Sequence, residues 1–470
     1  MANGEIKMPF ISQAYESISK PFAAQRCINL YLEDAQDAAR SERALVGTPG
    51  NTVFANLGSL PIRGLHVFED FLYAVSGTDV FKVESNGLFT NIGTIPGTTR
   101  VSIENNRTQV CFVNGSEGFI YTPGTDTFEQ IVDPDFRPAQ IVQFLDQYFV
   151  FNESDTDTFF ISNFGNGLQY NALDFGVAEG SPDNIISILA DHRDLLLFGE
   201  RTIELWDNTE NPDFTFEVQN GVFIERGCGA AFSTLKMDNQ VYWLGDDRAV
   251  YRLEGYLPAK ISTHAIDERI RQYDRVDDAF AFTYTEGGHF FYVLTFPSGN
   301  ETWVYDSAPR GGAWHQRSSG VNDERWRANA YARFANKNII GDVNSGKLLE
   351  LDLDVYEEDG ETIKRLRATM PEHDNEAPIF MGKMQVVIET GTGLVSGQGS
   401  DPLASLRWSD DGGRTFKNPR FKKMGKIGEY ITRVVWRRMG RFRNRVFEFT
   451  VTDPVKTVII DASAEFERGD

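Results

Sequence analysis

Residues 65–93 read LHVFEDFLYAVSGTDVFKVESNGLFTNIG: the apolar segments LHVF, FLYAV, DVFKVE and LFTNIG follow one another, broken only by short turns. Their aromatic and β-branched content favours strand, and Glu-Asp, Ser-Gly and Asn-Gly supply turn residues. Four strands in so short a span leave no room for helix.

Working outward, the same unit recurs: a polar turn, an aromatic-rich apolar strand, a Gly or Asp/Asn turn, then a second apolar strand. Seven copies can be traced through their central strands, Phe71–Val75, Gln109–Val113, Gln147–Phe151, Asp194–Phe198, Gln240–Leu244, Phe290–Leu294 and Asn338–Gly341. Their spacing, about 38 to about 50 residues, is the length of a four-stranded propeller blade. The pattern predicts an all-β chain built on a β-propeller of about seven blades, with six as the alternative count and a sandwich as the competing reading of such strands. One helix is expected, over Ser262–Tyr273, capped by Ser262 or Thr263, with Ile266 and Ile270 on one face.

After the acidic stretch Glu357–Glu361 the character changes. A second, sandwich-like β domain is predicted over residues 362–470, with strands near Met384–Glu389, Leu403–Trp408, Ile431–Arg438, Arg445–Thr452 and Thr457–Ala462. Residues 1–50 are expected to form an N-terminal arm or closing segment and residues 51–361 the propeller. The Gly/Ser-rich run GTGLVSGQGSDP, Gly391–Pro402, reads as a contact loop that orders on assembly.

Composition agrees. The 470 residues include 36 Phe and 42 Gly, and the net charge of −22 repels phosphate on average. Cys27, Cys111 and Cys228 have neither zinc spacing nor a disulfide framework. The start MANGEIKMPF has no basic stretch followed by an apolar run, and no segment of about 18 apolar residues occurs, so cytoplasmic synthesis and no membrane association of the free protein are expected.

Catalytic chemistry finds no constellation. The six histidines share no metal-ligand spacing. There is no nucleophile elbow or P-loop, and GCGAAFS around Cys228 has no flanking helix to activate a thiol. No catalytic residue, metal or cofactor is expected. Ser409-Asp410-Asp411-Gly412-Gly413-Arg414-Thr415-Phe416 resembles the Asp-box of sialidases, in which Ser409, Asp411, Gly413, Thr415 and Phe416 would fix a hairpin turn. It raises the alternative of a glycan-binding or sialidase-like propeller. Against that stand a single box, outside the propeller, and LPIRG as the nearest match to the sialidase arginine motif.

Charge is unevenly spread. Asp401–Arg445 carries 13 Lys/Arg against 4 Asp/Glu, a net of +9, leaving −31 for the rest. Lys422, Lys423, Lys426, Arg437, Arg438, Arg441, Arg443 and Arg445 form a candidate partner-docking stripe. Strand alternation puts Arg437 and Arg438 on opposite faces and lets Arg441, Arg443 and Arg445 share one.

The stretch Arg433–Pro454, RVVWRRMGRFRNRVFEFTVTDP, resembles the C-terminal signature of phage packaged-DNA stabilisation proteins, the propeller tail hubs (nozzles) of short-tailed bacteriophages. INLYLE (28–33) then TPG (48–50), RTIELWDN (201–208), GCGA (227–230) and ISTHAIDERIRQY (261–273) fit the same family in the same order, so the resemblance spans essentially the whole chain. It implies a structural virion protein, not an enzyme, in a hexameric ring below the portal and its adaptor ring. That ring would extend and close the channel, retain packaged DNA and hold tailspikes or a tail plug or needle. The excess acid of the propeller portion adds an expectation of its own: an acidic or neutral channel wall along which double-stranded DNA slides without sequence-specific binding. A tailspike or fibre-type receptor-binding protein is the remaining alternative, although neither β-helix repeats nor coiled-coil segments are visible.

Overall fold

A strand that is apolar on both faces has to be covered on both, and the seven central strands are. In the computed structural model, which describes residues 5–178, 180–181, 183–211 and 214–468, seven four-stranded antiparallel sheets stand side by side around a ring. Blade 1 comprises Ile62–Phe68, Phe71–Ser76, Asp79–Val83 and Phe89–Thr94; blades 2 to 6 cover residues 102–130, 139–177, 185–224, 235–260 and 280–316. Each of the seven expected central strands is the second strand of a blade.

Alternation along those strands builds the cores between blades. Val110 and Phe112 of blade 2 pack towards Tyr73 and Val75 of blade 1, whereas Cys111 and Val113 pack towards Phe149 and Phe151 of blade 3. The same division repeats around the ring, with Phe159 against Trp206 between blades 3 and 4 and Phe198 against Trp243 between blades 4 and 5. Large aromatics fill the wedge that opens between radiating sheets, which accounts for the high Phe content.

Blade 7 closes the ring. Its three strands Ala328–Phe334, Lys337–Asp342 and Lys347–Asp352 are completed by Gly50–Asn56, which pairs antiparallel with the last of them, Asn51 opposite Leu351 and Val53 opposite Leu349. The core between blades 7 and 1 then forms from Ile339 and Leu348 on one side and Leu72, Ala74 and Phe81 on the other. Across the bore, Arg100 leaves the connection between blades 1 and 2, donates from Nη1 to the Asn329 carbonyl of blade 7 at 2.7 Å, and lies 3.7 Å over the Phe280 ring of blade 6.

The second unit is a two-sheet sandwich. One sheet runs Val434–Phe442, Ile379–Ile388, Val458–Arg468, Arg43–Gly47, Leu30–Asp34, with Glu5–Lys7 beside Val458–Arg468. The other continues outward from blade 6: Gln316 pairs with Ile28, Leu366 with Ile28, and Arg365–Ala368 leads through Asn444–Val451 and Leu403–Ser409 to the edge strand Arg420–Lys423. Glu5–Lys7, Cys27–Ile28, Leu30–Asp34 and Arg43–Gly47 therefore join the sheets of the C-terminal sandwich, and Gly50–Asn56 joins the propeller. The helix His264–Arg271 lies between blades 5 and 6, Thr263 accepting from the Ile266 amide and Ile266 and Ile270 buried.

Gly50 marks the entry of the closing strand, where an added Cβ would sit 2.4 Å from the Glu357 carbonyl oxygen and 2.5 Å from that of Val355. Gly50→Ala should lower the unfolding free energy by about 1–3 kcal/mol, since backbone cannot retreat as a side chain does. Gly124→Ala, which meets nothing within 4 Å, should change it by less than about 0.5 kcal/mol. Urea unfolding midpoints of the two variants check the contrast.

Candidate functional site

Basic residues concentrate where the sandwich ends in an edge strand. All four residues of Arg420–Lys423 are exposed, and their row continues onto Val434–Phe442: the Trp436 indole N–H donates to the Arg420 carbonyl at 2.8 Å, and Arg420 Nη1 reaches the Arg437 and Arg438 carbonyls at 3.4 Å. Arg420 thus belongs with Lys422, Arg437 and Arg438 on one flank. Its place in the run NPRFKK, Asn418–Lys423, was the sequence signal for including it.

Arg437 and Arg438 do not point to opposite faces. Lys383 pairs with Arg437 and Met381 with Gly440, so the strand carries one residue more than its partner over this span. The bulge resets the alternation: Arg438 takes φ +58°, and both arginines are exposed while Trp436 and Met439 are buried. Arg441 is exposed, its guanidinium 5.5 Å from the Phe380 ring centroid. Arg443 is exposed and donates to the Glu376 carbonyl. Lys423 pairs with Asp401 at 2.5 Å, and Lys422 and Lys426 stand in solvent.

Arg445 leaves the expected stripe. It is 1% exposed, its Nε 2.5 Å from Asp410 Oδ1 and its Nη1 donating to the Met439 carbonyl at 2.7 Å, with Phe442 4.2 Å and Trp408 5.3 Å from the guanidinium carbon. Asn444 starts a new strand after Phe442, so the face on which Arg441 lies does not extend to Arg445. Arg445 ties the sandwich core to the neighbouring turn.

That turn is the Asp-box-like segment. Ser409 Oγ accepts from the Gly413 amide at 2.8 Å; Asp411 Oδ1 accepts from the Arg414 and Thr415 amides at 2.9 Å each, and Oδ2 from the Thr415 hydroxyl at 2.5 Å. The Ser409 and Thr415 hydroxyls, with those amides, hold the Asp411 carboxyl well below the usual carboxylate range. Gly412 and Gly413 take φ +74° and +87°, and Arg407 covers the Phe416 ring at 4.7 Å. The Ser409, Asp411 and Thr415 side chains turn inward on the hairpin, and Asp410 turns out to Arg445 and Lys417.

The sequence LPIRG places Arg63 in blade 1, where it donates to the carbonyls of Thr99, Gly77, Ile95 and Pro96. Four backbone acceptors occupy it structurally. The three cysteines are free and buried, and burial pushes the Cys27 and Cys228 thiols up to about 11. Among the described residues, no group of three His, Cys, Asp or Glu is arranged to hold a metal ion, and no helix is long and apolar enough to cross a membrane.

Comparison with known proteins bears on the whole chain. No curated protein matches it. Among solved structures, the N-terminal domain of Nup159 is similar at 12% identity and TM-score 0.41, over 69% of this chain and 98% of that one. YCF48 bound to D1 peptide is similar at 8% and 0.40, over 65% and 97%. The extracellular domain of the putative one component system BT4673 from B. thetaiotaomicron is similar at 11% and 0.43, over 86% and 58%. Likeness at that distance decides nothing about this chain. The family described as Bacteriophage P22 Gp10, beta-propeller, matches residues 6–356, and Bacteriophage P22 Gp10, beta-sandwich, matches residues 365–467. With both its units matched, the chain belongs to the bacteriophage P22 Gp10 family of virion structural proteins that stabilise packaged DNA.

Proposed function

We propose that the protein is a tail hub, or nozzle, that extends and closes the portal channel and keeps packaged DNA inside. The observation that carries this reading is electrical polarity built into one chain. Asp401–Arg445 has a net charge of +9 in a chain of −22, and most of its cations crowd one exposed flank of the sandwich. Self-complementary charge of this kind suits a ring in which the basic flank of one copy meets acid on the next, or on the adaptor ring, where partly desolvated pairs set register. A ring of six copies that holds tailspikes or a plug or needle is the assembly this function calls for. The acidic remainder suits a wall that repels phosphate, so that DNA passes without adhering.

The docking residues are Lys422, Lys423, Lys426, Arg437, Arg438, Arg441 and Arg443, with Arg420 added and Arg445 removed. Replacing Lys422, Lys423 and Lys426 together by Glu, or Arg441 and Arg443 together by Glu, should give folded chains that fail to join DNA-filled heads. Infectious particles at wild-type yield and salt resistance from both variants would sink the docking role. A second expectation concerns DNA: at physiological salt the purified protein should bind duplex DNA no more tightly than the ordinary non-specific range of about 10⁻⁴–10⁻⁶ M. Nanomolar binding in a filter or anisotropy assay would contradict the sliding-wall reading.

A further inference from the structure

The molecule carries two unlike surfaces with apolar side chains open to water. The sandwich leaves the ring at blades 6 and 7, through Gln316 beside Ile28 and through Asn51 beside Glu358. Half-way round a seven-bladed ring from there lies blade 3. At that far side the outer strands Asn166–Val177 of blade 3 and Phe216–Ile224 of blade 4 border a groove of about 620 Å³, lined by Phe175, Val177, Trp206, Phe214, Val218 and Phe223. Phe214 also lines the adjoining cleft, whose charged residues are Asp146, Asp174 and Glu210, with Arg193 as its cation. Apolar side chains open to water on a sheet rim, next to acid, form a recognisable contact surface.

A loop cluster of the sandwich is the counterpart. Its loops around residues 391–400 and 425–433 are held together by the Gly428 amide donating to the Gly391 carbonyl at 3.2 Å and the Thr390 hydroxyl donating to the Tyr430 carbonyl at 2.8 Å. This tip presents Val395, Ile427, Tyr430 and Ile431 at 87%, 59%, 73% and 95% exposure, with the exposed Lys422, Lys423 and Lys426 nearby in sequence and in the same loop and edge strand. A protruding apolar tip costs free energy in water unless something covers it.

We infer that the apolar tip of the sandwich seats in the groove between blades 3 and 4 of a second copy, with Lys422, Lys423 and Lys426 facing Asp146, Asp174 and Glu210. Charge chooses this occupant: the tip is cationic, and the propeller portion of the same chain carries the excess acid beside an apolar groove. Because tip and groove are different surfaces, the contact is head to tail and generates a ring when the rotation per copy closes. The inference deepens the hub reading and rests on it for its setting in the virion.

Cross-linking of the full chain tests it, since the native cysteines are all buried. Ile431→Cys and Val218→Cys, both at exposed positions, are combined in one chain and treated with a short bis-maleimide, in concentrated solution and in tails isolated from particles. The double variant should give a ladder of oligomers. Each single variant alone should stay monomeric, and the two singles mixed should stop at a dimer. Lys422→Glu with Lys423→Glu and Lys426→Glu should cut the yield at least about tenfold, and Asp146→Lys with Asp174→Lys and Glu210→Lys in the same chain should restore it. No ladder in either setting, a dimer from one single variant alone, or tip-dependent pelleting with phosphatidylglycerol vesicles in place of a ladder overturns the contact. A ladder in solution from a chain absent from tails would remove the hub reading and leave this contact standing.

Discussion

Ring closure by Gly50–Asn56 is the constraint on which the rest of the molecule depends. Without it, the face of blade 1 carrying Leu72, Ala74 and Phe81 and the face of blade 7 carrying Ile339 and Leu348 would both stand in water. The same short stretch serves the second unit: Arg43–Gly47, immediately upstream, pairs with Val458 and Ile459 of the sandwich, and Asn51 pairs on its other side with Glu358. Closing the propeller and assembling the sandwich are therefore coupled through a few residues of chain. Contacts between strands this far apart in sequence return their free energy only after a large loop has been ordered, so folding of the two units should be cooperative and slow.

The seam between the units runs through loops that have no sheet partner, and arginines collect their carbonyls. Arg367, fully buried, donates from Nε to the Phe10 carbonyl at 2.7 Å and from Nη2 to Ser12 Oγ at 2.5 Å. Arg317 donates to the Pro49 carbonyl at 2.6 Å and to Tyr284 Oη at 3.0 Å while lying 3.5 Å over Trp326. A guanidinium offers five N–H groups in a planar fork and stacks on aromatic faces, which suits it to joining irregular backbone inside a core. Arg63 and Arg445 do the same work within the propeller and the sandwich. These buried arginines collect carbonyls inside while other arginines and lysines form an exposed flank outside, and residue type alone does not separate them.

That division explains what could be read from the sequence. The seven central strands were legible because each is covered on both faces, which turns burial into an unbroken apolar run. The helix was legible from Thr263, Ile266 and Ile270, a local cap and a local period. Arg445 was not, because its burial depends on Asp410 and Trp408, which pairing with Leu403–Ser409 brings beside it. Arg437 and Arg438 were misjudged because one extra residue in a strand reverses the alternation without leaving a mark in composition. Strands inside residues 5–47 were hidden for the same reason: Leu30–Asp34 and Arg43–Gly47 are ordinary apolar segments whose partner, Val458–Arg468, lies at the far end of the chain.

Arg100 has a consequence for the path of a genome. Its side chain crosses the middle of the propeller to Asn329 and Phe280, and the innermost strands on either side are laced together, as by the Ser187 and Thr234 hydroxyls at 2.6 Å. Blades are thus tied to one another near the axis within a single molecule. In the proposed hub, a passage for a duplex would be enclosed by several molecules standing around an axis that runs through none of them, as staves enclose a cask. If the proposed hub role holds, the surface that DNA would meet in such a vessel is the outer flank of the blades and not their inner rim.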